Sequence, residues 1–158
     1  MSDIDPSEFR HLLGHFATGV TIITVTRPDG RPAGMTASSL ASVSLHPPLV
    51  SVCIDRAAEL HPRMLEVDRW TVNILAEDQE ALSRRFAEPN GDRFDGIGYT
   101  ATPHGLVLLD GALAHIECEP EAHYEAGDHT LFLGRVVGGT AQHGRPLLYY
   151  RGGYGAPL

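Results

Sequence analysis

Beyond residue 105 the chain offers one strand-forming run after another with no helix between them. Ala112, Ala114, Ile116 and Cys118 alternate with Leu113, His115, Glu117 and Glu119, and a period of two with one apolar face marks a half-buried strand. Glu125-Ala126-Gly127-Asp128 interrupts the pattern as a turn, Thr130 to Val137 reads as the next strand, and Pro146 to Tyr150 as another. A doubly wound parallel sheet needs a helix in each crossover, so this order disfavours it.

The first half adds helices at the margins. Asp5-Pro6-Ser7-Glu8 carries an N-cap, a proline at the first helical position and a glutamate three residues after the cap, which is a helix start. Phe9, Leu12, Leu13 and Phe16 recur at helical spacing and are expected to face the core. Thr18 to Thr26, rich in Val and Ile, reads as a buried strand that ends at a Pro28-Asp29-Gly30 turn. Leu49 to Ile54 and Trp70 to Leu75 are further strands. Leu60 to Val67 and Glu77 to Phe86 are helix candidates, and residues 88–98 form a loop rich in glycine and charge. The expected architecture is mainly β, an antiparallel barrel with peripheral helices. At 158 residues with no linker or repeat, residues 1–158 are expected to form a single domain.

Charge and cysteine content narrow the function. The net charge of -8 argues against nucleic acid as a partner. All twelve basic residues are arginine, so lysine Schiff-base chemistry is excluded and a bound phosphate must be met by Arg, His, hydroxyls or backbone N–H groups. Cys53 and Cys118 lack disulfide or metal spacing and read as small buried hydrophobes. No apolar run is long enough for a membrane span, and the acidic start Met1-Ser2-Asp3-Ile4-Asp5 is unlike a secretion signal. The expected location is cytoplasmic.

Four segments could carry chemistry. In Gly34 to Val50, five small hydroxyl residues (Thr36, Ser38, Ser39, Ser42, Ser44) alternate with apolar ones before Pro47-Pro48. Such a surface admits close backbone approach by a flat polar cofactor; an ordinary surface strand is the alternative. Gly127-Asp128-His129 delivers a histidine to a strand edge, with or without a task there. Arg84-Arg85-Phe86 and Gly91-Asp92-Arg93-Phe94 set guanidinium groups and rings about one loop, suited to phosphate and flat rings or simply to a solvated helix end. Pro146 to Tyr154 closes the chain with an aromatic strand. No Rossmann, P-loop, nucleophile-elbow or zinc-protease motif occurs. His11 and His15 have no carboxylate at metalloprotease spacing, so no metal is expected.

In this order, these segments resemble the flavin reductase family of split β-barrel proteins, the reductase components of two-component flavin monooxygenases. The resemblance runs from about Phe9 to Tyr154 through Phe16-Ala17-Thr18-Gly19-Val20, Gly34 to Ser39, Ser42 to Val50, Val72-Asn73-Ile74-Leu75, Arg85-Phe86-Ala87, Asp92-Arg93-Phe94, Gly127-Asp128-His129, Leu133-Gly134-Arg135-Val136 and Pro146 to Gly152. It implies an FMN-binding type of split barrel and a homodimer that binds FMN or FAD near its interface. It implies reduction of that flavin by NADH or NADPH and delivery of reduced flavin to a partner monooxygenase.

By position, the resemblance implies that Thr36, Ala37, Ser38 and Ser39 line the isoalloxazine and ribityl chain. Cys53, Ile54, Asp55, Arg56 and Ala57 would approach the flavin phosphate through backbone N–H groups and the Arg56 side chain. Asn73 would border the ring, and Arg85, Phe86 and Arg93 would flank the cofactor tail. His129 and Tyr150 would sit where the nicotinamide nucleotide docks, His129 orienting it as the catalytic residue. Relatives often carry Lys and Ser where Cys53 to Ala58 has Arg and Ala, which favours flavin as a diffusing substrate; the C-terminal extension of some members is not expected. The cofactors supply the hydride chemistry and the protein supplies orientation and charge. The rival readings are a flavin- or haem-binding barrel without turnover and an oxidase using its own flavin.

Overall fold

The computed structural model describes residues 1–89 and 91–155. Asn90, within the expected 88–98 loop, and residues 156–158, within the expected domain, lie outside them. The elements follow in the order α1 (Pro6–Leu13), β1 (Thr18–Gly19), β2 (Thr21–Thr26), β3 (Pro32–Ala37), β4 (Ala41–Ser44), β5 (Leu49–Asp55), α2 (Leu60–Met64) and β6 (Trp70–Ile74). Then come α3 (Glu80–Ala87), β7 (Tyr99–Ala101), β8 (Val107–Leu109), β9 (Ala114–Ala126), β10 (His129–Ala141), β11 (Leu148–Tyr150) and β12 (Gly153–Tyr154). Seven strands pair in the order β3-β2-β6-β9-β10-β5-β4, every contact antiparallel. The order has two free ends, β3 and β4, so the barrel is split. Strands β1, β11 and β12 form a small second sheet, and β7 with β8 a hairpin.

The β-branched run of β2 explains its central place, because both of its faces are buried. Ile23 and Val25 join Val52, Ile54, Trp70, Val72 and Phe132 in one cluster, which α2 covers with Leu60 and Met64. Val20, just before the strand, and Ile22 join Leu75, Phe86, Leu109 and Leu147 in the other. Strands buried on both faces read as continuous apolar runs rather than alternating ones.

Asn73 ties these layers together. It is fully buried; its amide nitrogen donates to the Ile22 carbonyl and to Thr24 Oγ1, both at 2.9 Å, and its Oδ1 accepts the Leu109 N–H at 2.9 Å. A buried amide is tolerated when its donors and acceptor are all met in this way. The polar atoms of Asn73 thus brace β2 and β8.

The long hairpin β9–β10 exceeds the strands read from the sequence. Each arm is 13 residues long, and the pairing slips between Leu133 and Gly134 and between Val136 and Gly138. A Cβ at Gly134 would collide with the Trp70 ring and come within 2.9 Å of Cys118 Cβ, so glycine there admits the indole. Gly127 takes φ +63 in the hairpin turn, where glycine has no steric penalty. Cys118 is buried and Cys53 half-buried on their strands, both free. Burial pushes the Cys118 thiol up to about 12, which suits an inert packing residue.

The expected helices shorten. The second stops at Met64 and the third starts at Glu80. Helix α1 is capped as expected, Asp5 Oδ1 accepting the Ser7 N–H at 2.8 Å, but its apolar stripe does not face the core. Phe9, Leu12 and Leu13 are each 53% exposed and Phe16 is 75% exposed. Periodicity identified the helix and its apolar face, but it cannot say what covers that face.

Replacing Asn73 with alanine strands the buried Leu109 N–H. We expect a loss of about 1–3 kcal/mol, read as a lower urea midpoint with unchanged slope; an unchanged midpoint would contradict the bracing role.

Candidate functional site

Strand β3 pairs with β2 on one side only, and the groups that meet its other side build the site. Thr36 Oγ1 donates to the Ser83 carbonyl of α3 at 2.6 Å. Arg93 Nη1 donates to the Gly34 carbonyl at 2.8 Å, and Arg93 Nη2 also meets the Glu88 carbonyl. Just past β3, Ser39 Oγ accepts the Cys53 N–H at 2.9 Å and donates to the Cys53 carbonyl at 3.1 Å, so a side chain links the free end of the sheet to β5. Of the three expected hydroxyls, Thr36 and Ser39 are thus committed, while Ser38 is exposed. Ala37 packs into the core and its carbonyl accepts Thr21 Oγ1 at 2.6 Å.

The segment after β5 also spends most of its expected donors internally. The Cys53 N–H goes to Ser39, Arg56 N–H to the Asp128 carbonyl at 3.0 Å, and Ala57 N–H to Asp55 Oδ1 at 2.8 Å. The Ile54 side chain lies in the core. The N–H groups of Cys53, Arg56 and Ala57 thus have partners within the chain, and the Arg56 side chain is exposed.

Arg85 and Phe86 build a wall. Arg85 Nη2 donates to the carbonyls of Asp92 at 3.1 Å and Asp95 at 2.6 Å. Phe86 is fully buried, its ring edge-on to Phe94 at 4.9 Å. Phe94 in turn meets Tyr99 at 5.4 Å. With Arg93 these contacts hold the loop after α3 against β3.

Between that loop and β3 opens a cleft of about 600 Å³. It is lined by Pro32, Ala33 and Gly34 of β3, by Glu59 and Leu60 at the start of α2, and by Arg27, Arg31, Arg93 and Tyr99. Arg27 and Arg31 are the residues that the sequence reading missed. They flank the Pro28-Asp29-Gly30 turn, closed by Arg27 N–H to the Arg31 carbonyl at 2.8 Å and Gly30 N–H to the Arg27 carbonyl at 2.9 Å. Two arginines bracketing a tight turn end on the same tip, and that spacing was the available signal.

His129 lies at the other end of the 55–60 segment from this cleft. It pairs with Asp55 across β5 and β10, and its Nδ1 is 2.7 Å from Asp128 Oδ1. The carboxylate accepts a proton carried on Nδ1, which leaves Nε2 for a ligand. The hydrogen bond from His129, then its charge, hold the Asp128 carboxyl below its ordinary value, with a smaller contribution from Arg56. Tyr150 belongs to the small sheet, paired with Gly153, while His129 belongs to the seven-stranded one. Among the described residues no group of three metal-ligating side chains occurs.

The band of cleft, hydroxyl-bearing strand end and histidine is the setting in which comparison with known proteins becomes informative. Residues 13–157 match the family described as flavin reductase like domain. The chain belongs to that family. This flavin reductase family member is 43% identical over 152 residues to HsaB, the reductase subunit of a flavin-dependent monooxygenase from Rhodococcus jostii (strain RHA1), covering 96% of this chain and 77% of that protein. It is 41% identical over 147 residues to the FMN reductase (NADH) SmoA from Agrobacterium fabrum (strain C58 / ATCC 33970), covering 93% and 83%. Its structure is similar to that of the NADH:FAD oxidoreductase SgcE6 from Streptomyces globisporus C-1027, solved in complex with NAD and FAD fragments. That match has a TM-score of 0.91 and 37% identity, covering 100% of this chain and 98% of that one.

The Asp128 carboxyl gives a check on the pair. A carboxyl held low in the folded state adds stability above its ordinary pKa and loses it as the pH falls through the lowered value. Carbon-detected NMR titration is expected to show Asp128 titrating below the ordinary aspartate value, and closer to that value in His129→Ala; equal values in both proteins would contradict the hydrogen bond.

Proposed function

We propose that this chain catalyses the reduction of FMN or FAD by NADH or NADPH and hands reduced flavin to a partner flavin-dependent monooxygenase. What supports this reading is that one short segment, residues 55–60, has the arginine-lined cleft at its Glu59–Leu60 end and His129 paired with Asp55 at the other. The residues suit a flavin in chemistry as well as in space. Ser38 and Arg56 are exposed, and Arg27 Nε is buried without a hydrogen-bond acceptor among the described residues. The relatives support the same reading, being named as FMN and FAD reductases that use NADH and as a monooxygenase reductase subunit.

The flavin supplies the redox chemistry, accepting a hydride from the reduced nicotinamide. The chain supplies position. Backbone of Thr36 to Ser39 forms the surface for the ring, with Ser39 fixing that surface to β5. Arg93 and Arg85 keep the loop wall in place, and Arg56 offers charge for a phosphate. His129, oriented by Asp128, presents Nε2 to the nicotinamide nucleotide. Holding two reactants in a near-attack geometry can contribute up to about 7–11 kcal/mol in well-aligned cases, so no side-chain nucleophile is required.

The assembly we infer is a homodimer, with a second copy covering α1. Four large apolar side chains on and after one short helix are half or more exposed, and such a patch marks an interface. The free cysteines fit a reducing compartment, and we place the protein in the cytoplasm. No helix among the described residues is long and apolar enough to cross a membrane.

Three measurements test this. Purified protein given NADH or NADPH with free FMN or FAD, and no organic substrate, is expected to oxidise the nicotinamide; no oxidation with any pair would overturn the assignment and leave a binding barrel. His129→Ala is expected to raise the KM for the nicotinamide about tenfold, the effect of roughly 1.4 kcal/mol, with flavin affinity little changed; the reverse pattern would move His129 to the flavin. By light scattering, Leu12→Glu with Phe16→Glu is expected to convert a dimer to monomer; an unchanged mass would remove α1 from the interface.

A further inference from the structure

We propose that the turn between β2 and β3 makes the cleft a binding site for the adenosine diphosphate half of a dinucleotide, with Arg27 and Arg31 as its specificity-determining residues. This rests on the reductase reading and extends it to the choice between FAD and FMN. The protein is acidic, yet three of its arginines line this one cleft. Among the described residues none of the three forms an ion pair: the pairs present involve Arg63, Arg69, Arg84, Arg135, Arg145 and His129. Arg93 spends its donors on the Gly34 and Glu88 carbonyls, which hold the side chain but leave its charge uncancelled. Arg27 Nε is buried and lacks an acceptor among the described residues. A buried cationic N–H without a partner is costly, and a phosphate oxygen is the acceptor that suits a guanidinium.

The remaining lining fits the rest of such a ligand. Tyr99 is 37% exposed, with Phe94 supporting its ring, and offers a flat surface for a base. Glu59, Asp92 and Asp95 also line the cleft. Carboxylates repel a phosphate placed against them but accept hydrogen bonds from ribose hydroxyls, so they select for a nucleotide over a bare diphosphate. Asp92 Oδ1 is partly occupied by the Phe94 N–H at 3.1 Å. The strand sets the distance. Pro32 to Gly34 line the cleft and Thr36 lies two to four residues further along β3. At about 3.3 Å per residue that is roughly 7–13 Å, a spacing on which one extended ligand can place a ring at one end and a diphosphate at the other.

The test compares affinities rather than turnover. Flavin fluorescence titrations with FAD and with FMN, calorimetric titration with ADP, and the KM for NADH are measured on the wild-type protein, on Arg31→Ala and on Arg27→Gln. Arg31 is an exposed side chain, so its variant guards against a folding defect in the other. We expect ADP to bind the wild type and to compete with FAD, and the FAD-to-FMN affinity ratio to fall by about tenfold or more in each variant. A rise in the KM for NADH with the flavin ratio unchanged would keep the ADP site and assign it to the nicotinamide dinucleotide. Absence of ADP binding, an unchanged ratio together with an unchanged KM, or equal loss of FAD and FMN would overturn the proposal. ADP binding in a protein that reduces no flavin would instead sink the reductase reading while the cleft's assignment stood.

Discussion

The free side of β3 is the constraint on which the site depends. An edge strand exposes unpaired backbone groups that invite pairing with another chain, and this molecule answers with side chains instead of another strand. Arg93 takes the Gly34 carbonyl, Thr36 reaches across to Ser83, and Ser39 joins the end of the strand to Cys53. Side chains occupy less of the edge than a paired strand would. The cleft is the space that this solution leaves.

Many of the residues expected at the site also build the fold. Phe86, Asn73, Ala37 and the Ile54 side chain are buried, and the Thr36 and Ser39 hydroxyls are bonded within the chain. Residues around a binding surface recur in a family either because they touch the ligand or because they hold what touches it, and a motif does not separate the two roles. Here the holding network reaches from α3 through the 88–98 loop to β3, and from β5 through the hairpin turn to His129. A change to Arg85 or Arg93 would therefore act on the shape of the cleft as much as on its charge.

Sequence pattern revealed the fold more fully than the site. Period-two alternation and Gly/Pro turns were enough for an antiparallel barrel, and the capped start of α1 was legible from Asp5 and Pro6. The length of β9 and β10 was hidden, because beyond Glu119 and Val137 the hairpin is increasingly exposed and polar and loses the apolar signal. The exposed stripe of α1 was misread for the opposite reason: an apolar face looks the same whether its cover is the same chain or another. At the site, Asp128 and His129 could be read as a turn delivering a histidine, whereas the spacing of Arg27 and Arg31 went unread because the turn chemistry accounted for the segment without them.

The location of the flavin is the central claim, and hydrogen–deuterium exchange read peptide by peptide tests it most directly. With saturating FMN or FAD, exchange is expected to slow in residues 32–39, 53–60 and 91–99 relative to the free protein. Saturation accompanied by protection confined elsewhere, such as the region from Thr100 to Leu113, would contradict the account.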